Sequence, residues 1–227
     1  LVVSAVEHPS VRKTAEWMRS LGYRVDFFDV DRGGQIDLEQ VRSLVTEETA
    51  MVSCMLANNE TGHIYPVREL GQIAHAKGAL MHTDAVQALG KIEFNFRELN
   101  VDLATLSGHK FYALKGSGVL YARKGVMVNP LIHGGMQERG RRAGTENLLA
   151  IASLGYMCAK KNEIASEGAR IRELRDHMEK RIVSEIPRTL VTGPGGLRLP
   201  NSSSMCLDGV DGETLLMNLD VRGFGLS

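Results

Sequence analysis

Cysteine is scarce in this chain: Cys54, Cys158 and Cys206 are the only three in 227 residues, and none forms a C-x-x-C pair. So small and odd a set argues against a disulfide framework or a cysteine zinc site and points to a reducing compartment. Net charge is lacking as well. The 27 Lys and Arg residues balance 27 Asp and Glu, which argues against holding nucleic acid or an anionic membrane through the overall field. No apolar run in the sequence approaches the roughly 20 residues of a membrane span. No basic region precedes the apolar Leu1–Val6, so a signal peptide is not indicated. The expectation is a cytoplasmic protein.

What is present is globular, with 43% hydrophobic and 24% charged residues and 24 glycines. The length is ample for a large core. The chain starts inside an apolar run and stops after Phe224-Gly225-Leu226. Neither end reads as a natural terminus, so a portion of a longer protein is expected.

The first 125 residues alternate strand-like and helical patterns. Strands are expected at Leu1–Val6, Tyr23–Val30, Ala50–Ala57, Ala79–Thr83, Val101–Ser107 and Gly118–Ala122. Helices are expected from His8-Pro9 to Leu21, over Leu38–Val45 behind Asp37, and from Pro66 to Lys77. This alternation predicts βαβ units and an α/β fold, with a mainly parallel sheet covered by helices on both faces. Ligands of such sheets gather at the carboxyl ends of the strands. Polar residues cluster after four of the expected ends, as Glu7-His8, Asn58-Asn59-Glu60, Asp84 with Gln87, and Ser107 with His109-Lys110.

The texture then changes. Residues 133–147 form a glycine- and arginine-rich loop, and a long helical stretch, interrupted at Gly168, runs from Leu148 to Glu185. A smaller α+β segment follows from Thr189, with a Gly/Pro loop at 193–196. Residues 1–160 are expected to form a large domain lacking its N-terminal part, and 161–227 the start of a small one.

Lys110 stands between a glycine-containing turn and Phe111-Tyr112. Desolvated there, it could become a Schiff-base nucleophile; a surface lysine is the alternative. Asp84 could hold a protonated heterocyclic nitrogen or cap a following helix. His8 could stack on a planar ligand or serve only the helix start before Pro9. His82, Asp84 and His109 offer a two-histidine, one-carboxylate metal alternative. Arg139, Arg141 and Arg142 suit either a phosphate or a solvated turn. Cys54 and Cys206, among apolar neighbours, are expected in the core, and Cys158 in a helix.

Together the runs EHPSV at 7–11, ANNETG at 57–62, HTDAVQ at 82–87, SGHKFYALKG at 107–116 and GGMQERGRRAGTENL at 134–148 resemble the cysteine desulfurases of the NifS/IscS group. These are class V aminotransferase-family enzymes with the pyridoxal-phosphate transferase fold type I. The resemblance implies pyridoxal 5'-phosphate as cofactor, held covalently by Lys110. It implies His8 stacked over the ring and, with Lys110, catalytic in proton transfer, Asp84 on the pyridinium nitrogen and Gln87 on the phenolic oxygen. Ser107 and His109 would bind the phosphate, and Asn58 the substrate carboxylate or ring substituent. Thr145 would reach the cofactor of the other subunit, which implies a homodimer. The implied reaction takes L-cysteine to L-alanine and leaves sulfur as a persulfide for a sulfur acceptor such as an iron–sulfur scaffold protein. The family's nucleophilic cysteine loop is expected just after Ser227. A selenocysteine lyase and an inactive dimerising relative share most of these residues and remain as alternatives.

Overall fold

The computed structural model describes residues 1–193 and 196–227. Its centre is a six-stranded sheet built from β1 (Val2–Ser4), β2 (Asp26–Phe28), β3 (Met51–Ser53), β4 (Leu80–Asp84), β5 (Leu103–Ser107) and β6 (Gly118–Ala122). The spatial order is β2-β1-β3-β4-β5-β6. The first five strands pair in parallel, and β6 runs antiparallel to β5. A parallel neighbour needs a crossover, whereas an antiparallel one needs only a turn. The short segment between β5 and β6 can therefore supply only the second.

Helices cover both faces, as the α/β pattern requires. On one face α1 (Pro9–Ser20) sets Ala15, Val11 and Met18 against Val3 and Val25. The other face carries α2 (Leu38–Leu44) and α3 (Val67–His75), whose Val41, Val67, Leu70 and Ile73 pack with Val2, Val52 and Met81. Val2 and Val3 thus enter opposite layers, as the two-residue period of a strand dictates. These three helices start and stop within two residues of the expected bounds. Asp37 accepts bonds from the N–H groups of Glu39 and Gln40, and Gly22 and Gly78 turn the chain at φ +91° and +77°.

Several expected elements are shorter. Of Ala50–Ala57 only Met51–Ser53 is strand, although Cys54 and Leu56 still donate to the carbonyls of His82 and Asp84. Tyr23–Val30 contracts to Asp26–Phe28. The long helical stretch is three helices: α5 (Leu148–Ala159), α6 (Lys161–Ser166) and α7 (Gly168–Glu185), preceded by a short turn, α4 (Gln137–Gly140). β7 (Thr189–Val191) and β8 (Met205–Leu207) form an antiparallel pair, followed by α8 (Gly212–Val221). Of the expected loop at 193–196, Pro194 and Gly195 lie outside the described residues. Cys206 is exposed rather than in the core, and Leu190, its partner across the two-stranded sheet, is exposed as well, so among the described residues nothing covers that side.

No helix among the described residues is long and apolar enough to cross a membrane. α5 is apolar on all sides, yet only Ala150 and Leu154 are buried, and Leu148, Leu149, Ile151 and Tyr156 are exposed.

Candidate active site

The order β2-β1-β3 creates a reversal: the chain leaves β1 towards one side and returns to the other. Crevices form at the carboxyl ends of strands flanking such a point. Here the crevice is bridged by two polar contacts. Glu7 Oε1 accepts from Met55 N–H at 2.5 Å, and Asn58 Nδ2 donates to the Val6 carbonyl at 3.1 Å.

Glu7 is 5% exposed, and among the described residues its Oε2 has no hydrogen-bond partner. Burial pushes its carboxyl up to about 8; the Met55 N–H opposes this and the nearby Asp84 charge adds to it. Glu7 is therefore mainly a neutral acid near pH 7. The sequence places Glu7 beside His8, but no local pattern reveals its pairing with a residue 48 positions away.

Asp84 closes β4 and is buried. Its Oδ1 accepts from Val86 N–H at 2.9 Å, forming a turn. Residues 86–91 are turn rather than helix, so Asp84 is not the helix cap that the following pattern allowed. Burial raises its pKa, while the Val86 N–H and His8 lower it. The electrostatic link puts His8 and Asp84 in one field. His8 is exposed and caps α1: its Nδ1 accepts from Ser10 N–H at 3.2 Å and pairs with Ser10 Oγ at 2.8 Å. Both roles weighed for His8 are thus compatible, since capping occupies Nδ1 and leaves the ring face and Nε2 outside that contact.

Lys110 lies in the 3-10 turn Gly108–Phe111 at the carboxyl end of β5 and is exposed, so the desolvation weighed from its aromatic neighbours is not found: Phe111 turns inward and Tyr112 outward. Phe111 anchors that turn in the interior, 1% exposed. It fits only because position 90 is glycine. Gly90 has φ +74°, and a Cβ there would stand 2.0 Å from Phe111 Cε2. From the other side Ser153 Oγ of α5 accepts from Leu114 N–H at 3.0 Å. Ser107 Oγ and His109 Nδ1 pair at 2.9 Å, just before the lysine.

Gln87 is not a free amide. Its Oε1 accepts from Lys91 Nζ at 2.6 Å, a partner that no motif in the sequence indicated. Burial first, and the charge of Lys110 second, pull Lys91 down to about 8. Asn58 is also engaged. Its Oδ1 accepts from the N–H groups of Glu60 and Thr61 and from Thr61 Oγ1. Thr145 stands exposed on the loop before α5.

The metal alternative loses its first member. His82 is buried, with Nδ1 paired to Ser53 Oγ at 2.8 Å and Nε2 to Thr105 Oγ1 at 3.5 Å. Burial lowers its pKa to about 4, so it is a neutral interior ring. Arg141 and Arg142 are exposed, and Arg139 holds φ +58° in a surface turn. The Cys54 thiol is fully buried, and burial drives its pKa up, away from reactivity.

The sequence profile of the class-V aminotransferases matches residues 1–227. The chain belongs to the aminotransferase class-V family. Enzymes of this family depend on pyridoxal phosphate. The chain is 45% identical over 229 residues to a cysteine desulfurase of Gluconacetobacter diazotrophicus, and 40% identical over 228 to the cysteine desulfurase NifS of Azotobacter vinelandii. In each case all of this chain aligns with 57% of the relative. A NifS-like protein from Rickettsia africae shares the fold with a TM-score of 0.93 at 31% identity, over 100% of this chain and 62% of that one.

The donor set at the strand ends fits the family's cofactor. It offers a lysine side chain, a buried carboxyl for a ring nitrogen, a hydroxyl–imidazole pair for a phosphate and an amide whose oxygen Lys91 occupies.

Proposed function

We propose that the complete protein is a pyridoxal 5'-phosphate-dependent cysteine desulfurase, converting L-cysteine to L-alanine and passing on sulfur as an enzyme persulfide. The observation that supports this reading is the placement of His8, Asp84, Gln87, Ser107, His109 and Lys110 at or just beyond the carboxyl ends of β1, β4 and β5 in one sheet. The relatives' name supplies the substrate, L-cysteine.

The cofactor, when bound, serves as an electron sink for the carbon that loses its proton. The chain's own groups do the rest. Lys110 would hold the cofactor covalently and, once released, would move that proton at Nζ. Asp84 would keep the ring nitrogen protonated by a charge-assisted bond. His8 would face the ring, Gln87 would donate to the phenolic oxygen, and Ser107 and His109 would hold the phosphate. Asn58 orders the facing loop and would reach the substrate carboxylate by exchanging one of its present bonds. We assign sulfur attack to none of Cys54, Cys158 and Cys206.

In this reading residues 1–160 are cofactor domain and 161–227 belong to a smaller domain. The exposed apolar side of α5 supports a homodimer, in which Thr145 serves the partner's cofactor. The persulfide goes to a cytoplasmic sulfur acceptor such as an iron–sulfur scaffold protein.

The test is reduction of the full-length protein with borohydride in the presence of pyridoxal phosphate, followed by peptide mass spectrometry. A label on Lys110, with release of alanine and sulfide from L-cysteine, supports the proposal. A colourless protein or a label on another lysine overturns it. Turnover of selenocysteine alone would transfer the reading to a selenocysteine lyase.

A further inference from the structure

Gln87 and Lys91 face each other within a segment that is not helical, where Gly90 turns the chain at φ +74°. Lys91 Nζ stands 2.6 Å from Gln87 Oε1, and Lys91 is half-buried. An ammonium has three donors and no acceptor, so only the oxygen end of an amide can meet it. An unconstrained glutamine amide presents its oxygen or its nitrogen almost equally well, because a half-turn exchanges two ends of similar shape. Lys91 removes that freedom.

We infer that Lys91 is a positioning residue: by taking Gln87 Oε1 it fixes the amide so that Nε2, a donor, is what the cleft offers a ligand. The site thereby selects an acceptor oxygen over a hydroxyl donor at that point. With the function proposed above, on which this inference rests, that oxygen is the phenolic oxygen of pyridoxal phosphate. At pH 7 Lys91 remains mainly an ammonium, since burial and the Lys110 charge lower it only to about 8. Lys91 itself touches neither cofactor nor substrate in this scheme.

The experiment uses full-length protein with cofactor removed, and reads pyridoxal phosphate affinity by equilibrium dialysis and the visible band of the bound cofactor. Lys91→Met is expected to weaken binding about twofold, because the released amide offers either end about equally, and Gln87→Ala about tenfold, the worth of one well-placed hydrogen bond. It should shift the band in the same sense as Gln87→Ala. The double variant should be no worse than Gln87→Ala alone, and Lys91→Arg should restore both readouts. Gln87→Glu gives an independent arm. It keeps an ion pair with Lys91 but has no N–H to offer, so it should bind as poorly as Gln87→Ala. Wild-type affinity and band in Lys91→Met, additive losses in the double variant, or wild-type affinity in Gln87→Glu would each overturn the inference alone. Wild-type protein that binds no pyridoxal phosphate would overturn the proposed function along with it.

Discussion

The carboxyl of Glu7, just past β1, accepts the backbone N–H of Met55, just past β3, at 2.5 Å. This bond ties together the two strand ends that flank the reversal in strand order. The bond itself favours the ionised carboxyl, but burial outweighs it. A buried carboxyl beside Asp84 retains its proton to about 8 instead of the ordinary 4.5.

A pH dependence follows from Glu7. Between about pH 4.5 and 8 the folded chain holds a proton there that the unfolded chain has lost. Its contribution to stability is therefore full below the lower value and declines as pH rises to the upper one, by at most about 1.4 kcal/mol per unit. Glu7→Gln mimics the neutral acid and removes this slope. Urea unfolding of both proteins across that window checks the difference; parallel curves would contradict it.

His82 acts in the opposite direction. Its ring resists protonation down to about 4, against an ordinary 6.5, because it is buried. Within that window the unfolded chain binds the extra proton, so stability falls as pH drops from about 6.5 to 4. His82→Asn should lose less stability over that range than the wild type. An acid limb of unchanged steepness in the variant would argue against a neutral buried ring.

Gly90→Ala is expected to cost about 2–4 kcal/mol, from the left-handed backbone and the collision with Phe111. Differential scanning calorimetry measures the loss. Because Phe111 anchors the turn that bears Lys110, borohydride labelling of Lys110 should slow as well. A fully stable variant would show that the turn has room to move.

Asp102 tests the far end of the same sheet. Fully buried ahead of β5, it accepts from Met81 N–H at 2.7 Å, meets His75 Nε2 at 2.6 Å and pairs with Arg123 at 2.5 Å. Asp102→Ala should lose about 2–3 kcal/mol, mostly from the orphaned N–H, since His75 and Arg123 can regain water. Pyridoxal phosphate affinity of the folded fraction should not change, because the cleft opens at the other ends of the strands. A matching loss of affinity would link the two ends of the sheet.

The sheet was legible because its strands are short apolar runs between glycine-marked helices, and those marks are local. Asp84 at the end of β4 and Lys110 in the turn after β5 followed from the same pattern. What stayed hidden depends on contacts between distant segments. The carboxyl of Glu7 meets position 55, and Asp102 collects His75 and Arg123, with no local signature for either. Lys91 was missed for another reason: no motif singles it out, although its spacing from Gln87 alone would have placed the two side by side on a helix, and the turn that replaces the helix keeps them together. Cys206 misled because apolar neighbours in a strand say nothing about whether a second layer covers it.

The strand order has a kinetic consequence. Residues from His8 to Lys110 meet only after four parallel pairings have each closed a long crossover. Such non-local closure is slow, because chain entropy is lost before the contacts form. During refolding, helical signal should therefore return well before the crevice can take up a ligand, making cofactor uptake a marker of the last stage of assembly.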